Sequence, residues 1–140
     1  MVRYKKKELI PKPAMSEDTE PFWTLLNEKK QLHFQRCEHC KAYMHPPRPV
    51  CHNCHKFDME WVPSTGRGFI YSYVVYRRPT YPAFEVPYEC ILVELEEGVR
   101  IVSNMMDCEP DEIYIGMPVE VVIDQVFDDV ALPKFKRQDT

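Results

Sequence analysis

Four cysteines in two matched pairs carry the clearest chemistry in the chain. They are Cys37-Glu38-His39-Cys40 and Cys51-His52-Asn53-Cys54, with ten residues between the pairs. A two-residue gap lets one tight turn aim both sulfurs at a common point. Two such turns, brought together by a short hairpin, supply four thiolates in a tetrahedron. That is the donor set a structural Zn²⁺ prefers, with no position left for water or substrate. Iron competes for the same S₄ set, as in a rubredoxin-type centre. Zinc carries more weight because no other redox machinery is visible. Two disulfides would need an oxidising compartment, and the basic start Met1-Val2-Arg3-Tyr4-Lys5-Lys6-Lys7 lacks the apolar core of a signal peptide. With four thiols already in register, His39, His52 and His55 read as exposed residues of the turns. Cys90, in an apolar run, reads as a small buried hydrophobe, and Cys108 falls in a loop with no partner pattern.

At 140 residues the chain has room for one domain or two very small ones. About 30 residues around the cysteines cannot build a core alone and depend on their metal. Charged residues make up 29% and hydrophobic ones 44%, the balance of a soluble globular protein. No apolar run approaches the roughly 20 residues that span a bilayer, so the expected location is the cytoplasm, with no membrane partner. A net charge of −4 argues against nucleic acid as a general partner, because such binding needs many cationic phosphate contacts. The charge is uneven: Arg3, Lys5, Lys6, Lys7 and Lys12 lie at one end, and Lys134, Lys136 and Arg137 at the other. Each cluster reads either as a solvated tail or as a dock for an anion.

The elements that must position the cysteines follow from pattern. Residues 1–15 read as an extended basic arm. A helix is predicted from about Ser16 to Pro21 onward, since Ser, Asp and Thr suit an N-cap and Pro is tolerated in the first turn. Phe22, Trp23, Leu25 and Leu26 give it one apolar stripe. So small a ribbon cannot bury four large side chains alone, which points the stripe at a partner chain. Leu32–Arg36, Tyr43–His45 and Met59–Val62 read as short strands around the cysteine turns, making residues 16–63 a helix plus zinc ribbon. From residue 64 to 140 the texture is β-rich. Strands are predicted over Phe69–Tyr76, Tyr88–Leu95, Val99–Met105, Val119–Phe127 and Val130–Phe135, with one helical turn within Asp107–Gly116 and a C-terminal tail. Three strands in a meander, a short helical connection and a hairpin is the order of a five-stranded OB-fold barrel. A small open sandwich competes. The fold class is therefore mainly β.

In this order the motifs resemble the zinc-ribbon plus OB-fold proteins catalogued as domain of unknown function 35. The matching residues are Phe22-Trp23, the four cysteines, Pro46-Pro47-Arg48 and Gly66-Arg67-Gly68. Pro87-Tyr88, Glu94-Leu95 with Gly98 and Arg100, Ile115-Gly116-Met117 with Val119, and Leu132-Pro133 with Phe135 continue the series. Together they cover about residues 16–136. One departure stands out: the glycine often found after the second Cys of each pair is replaced by Lys41 and His55.

The resemblance implies an accessory subunit without catalytic residues of its own, in a hetero-oligomer with a thiolase-fold enzyme. Relatives accompany acetoacetyl-CoA thiolase with hydroxymethylglutaryl-CoA synthase, aldolases of steroid side-chain breakdown, and benzoylsuccinyl-CoA thiolase. The partner would hold the catalytic Cys and His, and this chain would help to bind acyl-CoA. The chain itself offers no Gly-rich phosphate loop and no Gly-x-Ser-x-Gly. For the ligand, Arg67, Tyr81, Phe84 and Tyr88 are expected near the thioester or pantetheine arm. Lys134, Lys136 and Arg137 are expected near the phosphates, where cations belong. A nucleic-acid module is the alternative, since zinc ribbons and OB-folds both serve that purpose and aromatic residues on a barrel can stack bases.

Overall fold

The computed structural model describes residues 10–78 and 82–138. Its one α-helix among these, α1 (Glu20–Lys29), carries Pro21 in its first turn. The turn before it is tied by Ser16, whose N–H donates to Thr19 Oγ1 at 2.9 Å. It ends at Lys30, whose left-handed backbone points its N–H back to Leu26 O at 3.1 Å. Phe22 and Leu26, one turn apart, form the buried face.

The ribbon follows: β1 (His33–Cys37), β2 (Tyr43–Met44) and β3 (Met59–Pro63), with β1 in the middle and antiparallel to both. The barrel comprises β4 (Arg67–Tyr76), β5 (Tyr88–Leu95), β6 (Arg100–Ser103), β7 (Pro118–Phe127) and β8 (Val130–Arg137), hydrogen-bonded in the order β6-β5-β4-β7-β8. A bulge between Ile70 and Ser72 bends β4, so its first residues pair with β7 while its length pairs with β5. The sheet nearly closes where Phe135 N–H donates to Asn104 O at 3.0 Å and Met106 N–H to Phe135 O at 2.7 Å. Pro133 has no N–H with which to extend that ladder, and a seam remains between β6 and β8.

Gly68 stands where β4 crosses β5 most closely. A Cβ there would lie 2.2 Å from Glu94 O, so only glycine fits. Gly66, at φ +75°, turns the chain into the barrel.

One core joins all parts. Phe22, Leu26, Leu32 and Phe34 from helix and ribbon pack with Ile70, Ile91, Val93 and Phe135 of the barrel. This corrects the expectation for the helix stripe: Phe22 is 4% and Leu26 0% exposed, because the barrel supplies the core that the ribbon lacks. Trp23 and Leu25 stay half-buried. At the other end β8 runs through Arg137, so the three late cations sit on a paired strand, not on a tail. The helical turn between β6 and β7 is a single 3₁₀ turn, Pro110–Glu112. Arg3 and Lys5–Lys7 of the basic arm lie outside the described residues. No helix among the described residues is long and apolar enough to cross a membrane.

Candidate metal centre and neighbouring surfaces

The two cysteine turns are built alike. In the first, Lys41 N–H donates to Cys37 O at 3.0 Å and Cys37 N–H to Ala42 O at 2.9 Å. In the second, His55 N–H donates to Cys51 O at 3.0 Å and Cys51 N–H to Lys56 O at 2.9 Å. Lys41 (φ 65°) and His55 (φ 64°) occupy the left-handed position that glycine takes more cheaply. The same turn therefore forms at both places despite the missing glycines.

All four Sγ atoms lie within 4.8 Å of one another, with Cys37–Cys54 and Cys40–Cys51 each at 3.5 Å. Zinc–sulfur bonds of about 2.3 Å require S–S edges of about 3.8 Å in a tetrahedron, so the set fits a metal. It does not fit disulfides, whose sulfurs stand about 2.05 Å apart. The N–H groups of Asn53 and Cys54 approach Cys51 Sγ at 3.4 and 3.5 Å. Hydrogen bonding from the Asn53 side chain and the Ala42 N–H brings Cys40 down to about 6. The Cys40 backbone N–H lowers Cys37. The Lys56 N–H pulls Cys54 the same way, yet burial and the other three sulfurs push it up to about 11. Crowded thiolates on this scale call for a cation among them.

No histidine joins the sulfurs. His39 is 2.7 Å from Asp58 Oδ2, facing outward, and His52 and His55 are exposed. Cys108 is buried and Cys90 half-buried, each thiol raised chiefly by burial. A closed four-sulfur set offers structure, not a Lewis-acid position.

The residues expected to meet acyl-CoA are scattered. Arg67 opens β4 and Tyr88 opens its antiparallel neighbour β5, so they sit at opposite ends of the β4–β5 pair. Tyr88 stacks on Tyr76 at 4.9 Å and meets Phe84 at 5.4 Å. Phe84 in turn packs on a small cluster of Ile10, Ala83, Val126 and Val130. Tyr81 lies outside the described residues. Lys136 pairs with Glu120 at 3.4 Å and Arg137 with Glu112 at 3.1 Å. Lys134 is 5% exposed and donates to Asn104 Oδ1 at 3.0 Å; its pKa is lowered by that burial. Lys136 thus faces Glu120 across the β7–β8 pair, Arg137 meets Glu112 of the 3₁₀ turn, and Lys134 is buried.

The structure brings forward two residues that pattern alone passed over. His45 precedes Pro46-Pro47-Arg48, and its ring is held by Phe22 at 5.2 Å and Phe34 at 5.4 Å. Its Nδ1 is buried without a partner, and burial lowers its pKa, which keeps it neutral. Arg48 is anchored by its backbone, the N–H donating to Gln35 Oε1 at 2.8 Å. Its guanidinium makes no hydrogen bond or ion pair among the described residues. The available signal was the position of both residues between the two cysteine pairs.

Comparison with known proteins agrees with this architecture. Residues 31–60 match the ChsH2 rubredoxin-like zinc ribbon domain, and residues 61–124 the ChsH2 C-terminal OB-fold domain. The chain is 42% identical to a chain of the solved "Ltp2-ChsH2(DUF35) aldolase", covering 90% of this chain and 98% of that one, with a TM-score of 0.83. It is 43% identical over 94% of its length to a probable enoyl-CoA hydratase alpha subunit of Thermomonospora curvata, of which it spans 41%. It is 36% identical to a DUF35 domain-containing scaffold protein of Methanocaldococcus jannaschii, covering 76% of this chain and 77% of that protein. With ribbon, barrel and four-sulfur centre all in place, the chain belongs to the DUF35 family, in its ChsH2-like form.

Proposed function

We infer that the chain is a zinc-binding accessory subunit of a thiolase-like enzyme complex in the cytoplasm, acting on acyl-CoA in carbon–carbon bond cleavage or formation. The observation that carries this reading is the likeness to the DUF35 chain of the Ltp2-ChsH2 aldolase, which this chain covers almost completely. The acyl-CoA character of the substrate draws support from the hydratase subunit named above. Catalysis is assigned to the partner because the cysteine set is closed. Cys37, Cys40, Cys51 and Cys54 would hold the zinc, which supplies rigidity to the ribbon. This chain's part is then to assemble the partner and present the thioester to it.

The test is purification of the tagged full chain with its partner. A thiolase-fold enzyme is expected to co-elute in fixed ratio and to lose most of its acyl-CoA turnover when this chain is removed. A chain that elutes alone, or an enzyme fully active without it, would overturn the reading. Metal analysis of the same preparation decides between zinc and iron.

A further inference from the structure

The clefts between ribbon and barrel form a continuous series. One is a cavity of about 340 Å³ at the β6–β8 seam, walled by Phe22, Trp23, Pro47, Ile101 and Leu132. The next is an open cleft of about 540 Å³ lined by Lys41, Tyr43, His52, Glu97 and Arg100. The first borders residues 101–104 and the second residues 97–100, so they adjoin at the start of β6. His45 lines both. A third, smaller cleft adds Arg48 beside His45 and His52.

The two halves differ in chemistry. The seam half is mainly apolar, with Val102 65% exposed at its edge, and Ser103, Asn104 and the buried Lys134 on its β6–β8 side. The other half gathers Lys41, Arg48, Arg100 and His52 in a chain whose net charge is −4. Its acid, Glu97, is engaged elsewhere: Ser64 Oγ donates to it at 2.6 Å, and Thr65 N–H and Oγ1 at 3.2 and 3.3 Å. Lys41 and Arg100 have partners in Glu60 and Glu94, which leaves Arg48, whose guanidinium has no partner among the described residues, as the principal cation for a ligand. Between the halves stands His45, whose buried Nδ1 lacks a partner. Such a group is costly unless something answers it.

We propose that this trench is the ligand site of the chain, taking an amphiphilic anion with its apolar acyl group in the seam cavity and its phosphates beside Arg48. β6, Arg100–Ser103, borders both clefts and spans about 13 Å at roughly 3.3 Å per residue. The proposal rests on the acyl-CoA reading above and relocates the contact surface from the Phe84–Tyr88 loop, Lys136 and Arg137 to His45, Arg48 and β6, keeping only Lys134 of the β8 cations at the cavity wall.

Octanoyl-CoA and CoA are the probes, titrated against the zinc-loaded full chain labelled at its two tryptophans. Trp23 lines the cavity, whereas Trp61 lies in the ribbon sheet and serves as control. Octanoyl-CoA is expected to shift the Trp23 indole N–H signal, leave Trp61 in place, and bind at least tenfold tighter than CoA. Val102→Trp, which plugs the seam from an exposed position, should reduce octanoyl-CoA affinity to that of CoA. Arg48→Glu should weaken both ligands about tenfold. A silent Trp23 at millimolar octanoyl-CoA, or affinities unchanged in both variants, overturns the trench. Co-elution with an active partner alongside a silent Trp23 would sink this proposal and leave the accessory role standing. A responsive Trp23 in a chain that elutes alone would do the reverse.

Discussion

The imidazole of His45 packs against the ring of Phe22 at 5.2 Å, joining the loop between the cysteine pairs to the helix. Phe22 also meets Trp23 edge-on at 5.1 Å. Helix, ribbon and barrel therefore share their packing, and damage to the helix should be felt at the metal centre.

Phe22→Ala removes a 4%-exposed ring from that junction. The expected loss is about 3–5 kcal/mol, read by denaturant unfolding, together with faster zinc release to a chelator. Trp23→Ala, at a half-buried position, should cost less than Phe22→Ala. Equal losses for the two would contradict the packing described here.

Cys37→Ser with Cys40→Ser takes two of the four donors. The variant should lose its metal, measured as about one zinc per chain in the parent. The ribbon signals of β1–β3 should broaden in NMR spectra while the β4–β5 pairing persists. A parent loaded with iron, or a variant with an intact ribbon, would refute the structural-zinc assignment.

His55→Gly should leave stability unchanged or slightly raised, because it removes a left-handed penalty of roughly 1 kcal/mol and gives back part of it as chain entropy. His55→Val should cost more than 1 kcal/mol, since a branched side chain suits φ 64° least. Thermal unfolding of the zinc-loaded pair would rank them. Gly68→Ala, facing Glu94 O, should cost more than either.

Glu89 is 2% exposed with Oε1 unpartnered, and burial raises its pKa above the usual 4.5. A raised folded value means that the folded chain favours the protonated form. Stability from this group is then complete below about 4.5 and is lost as pH rises through the folded pKa. Glu89→Gln should flatten that part of the pH–stability curve and change neutral-pH stability by on the order of 1 kcal/mol. A curve of unchanged slope would show that Glu89 does not titrate differently on folding.

The sequence by itself determined the metal centre, because Cys-x-x-Cys turns are local and their spacing alone sets where the sulfurs can go. It also determined most strands, through runs rich in aromatic and β-branched residues such as Phe69–Tyr76. Tertiary structure decided what pattern could not. Whether Phe22 and Leu26 face a partner or the chain's own core depends on how the barrel sits beneath the helix, a contact between distant segments. The fate of Lys134, Lys136 and Arg137 depended on β7–β8 register, which puts Glu120 opposite Lys136. The seam cavity lies where Pro133 offers no N–H to the ladder between β8 and β6, and His45 reaches it from the ribbon. Side chains far apart in sequence acquire a common surface through packing, and no local periodicity records it.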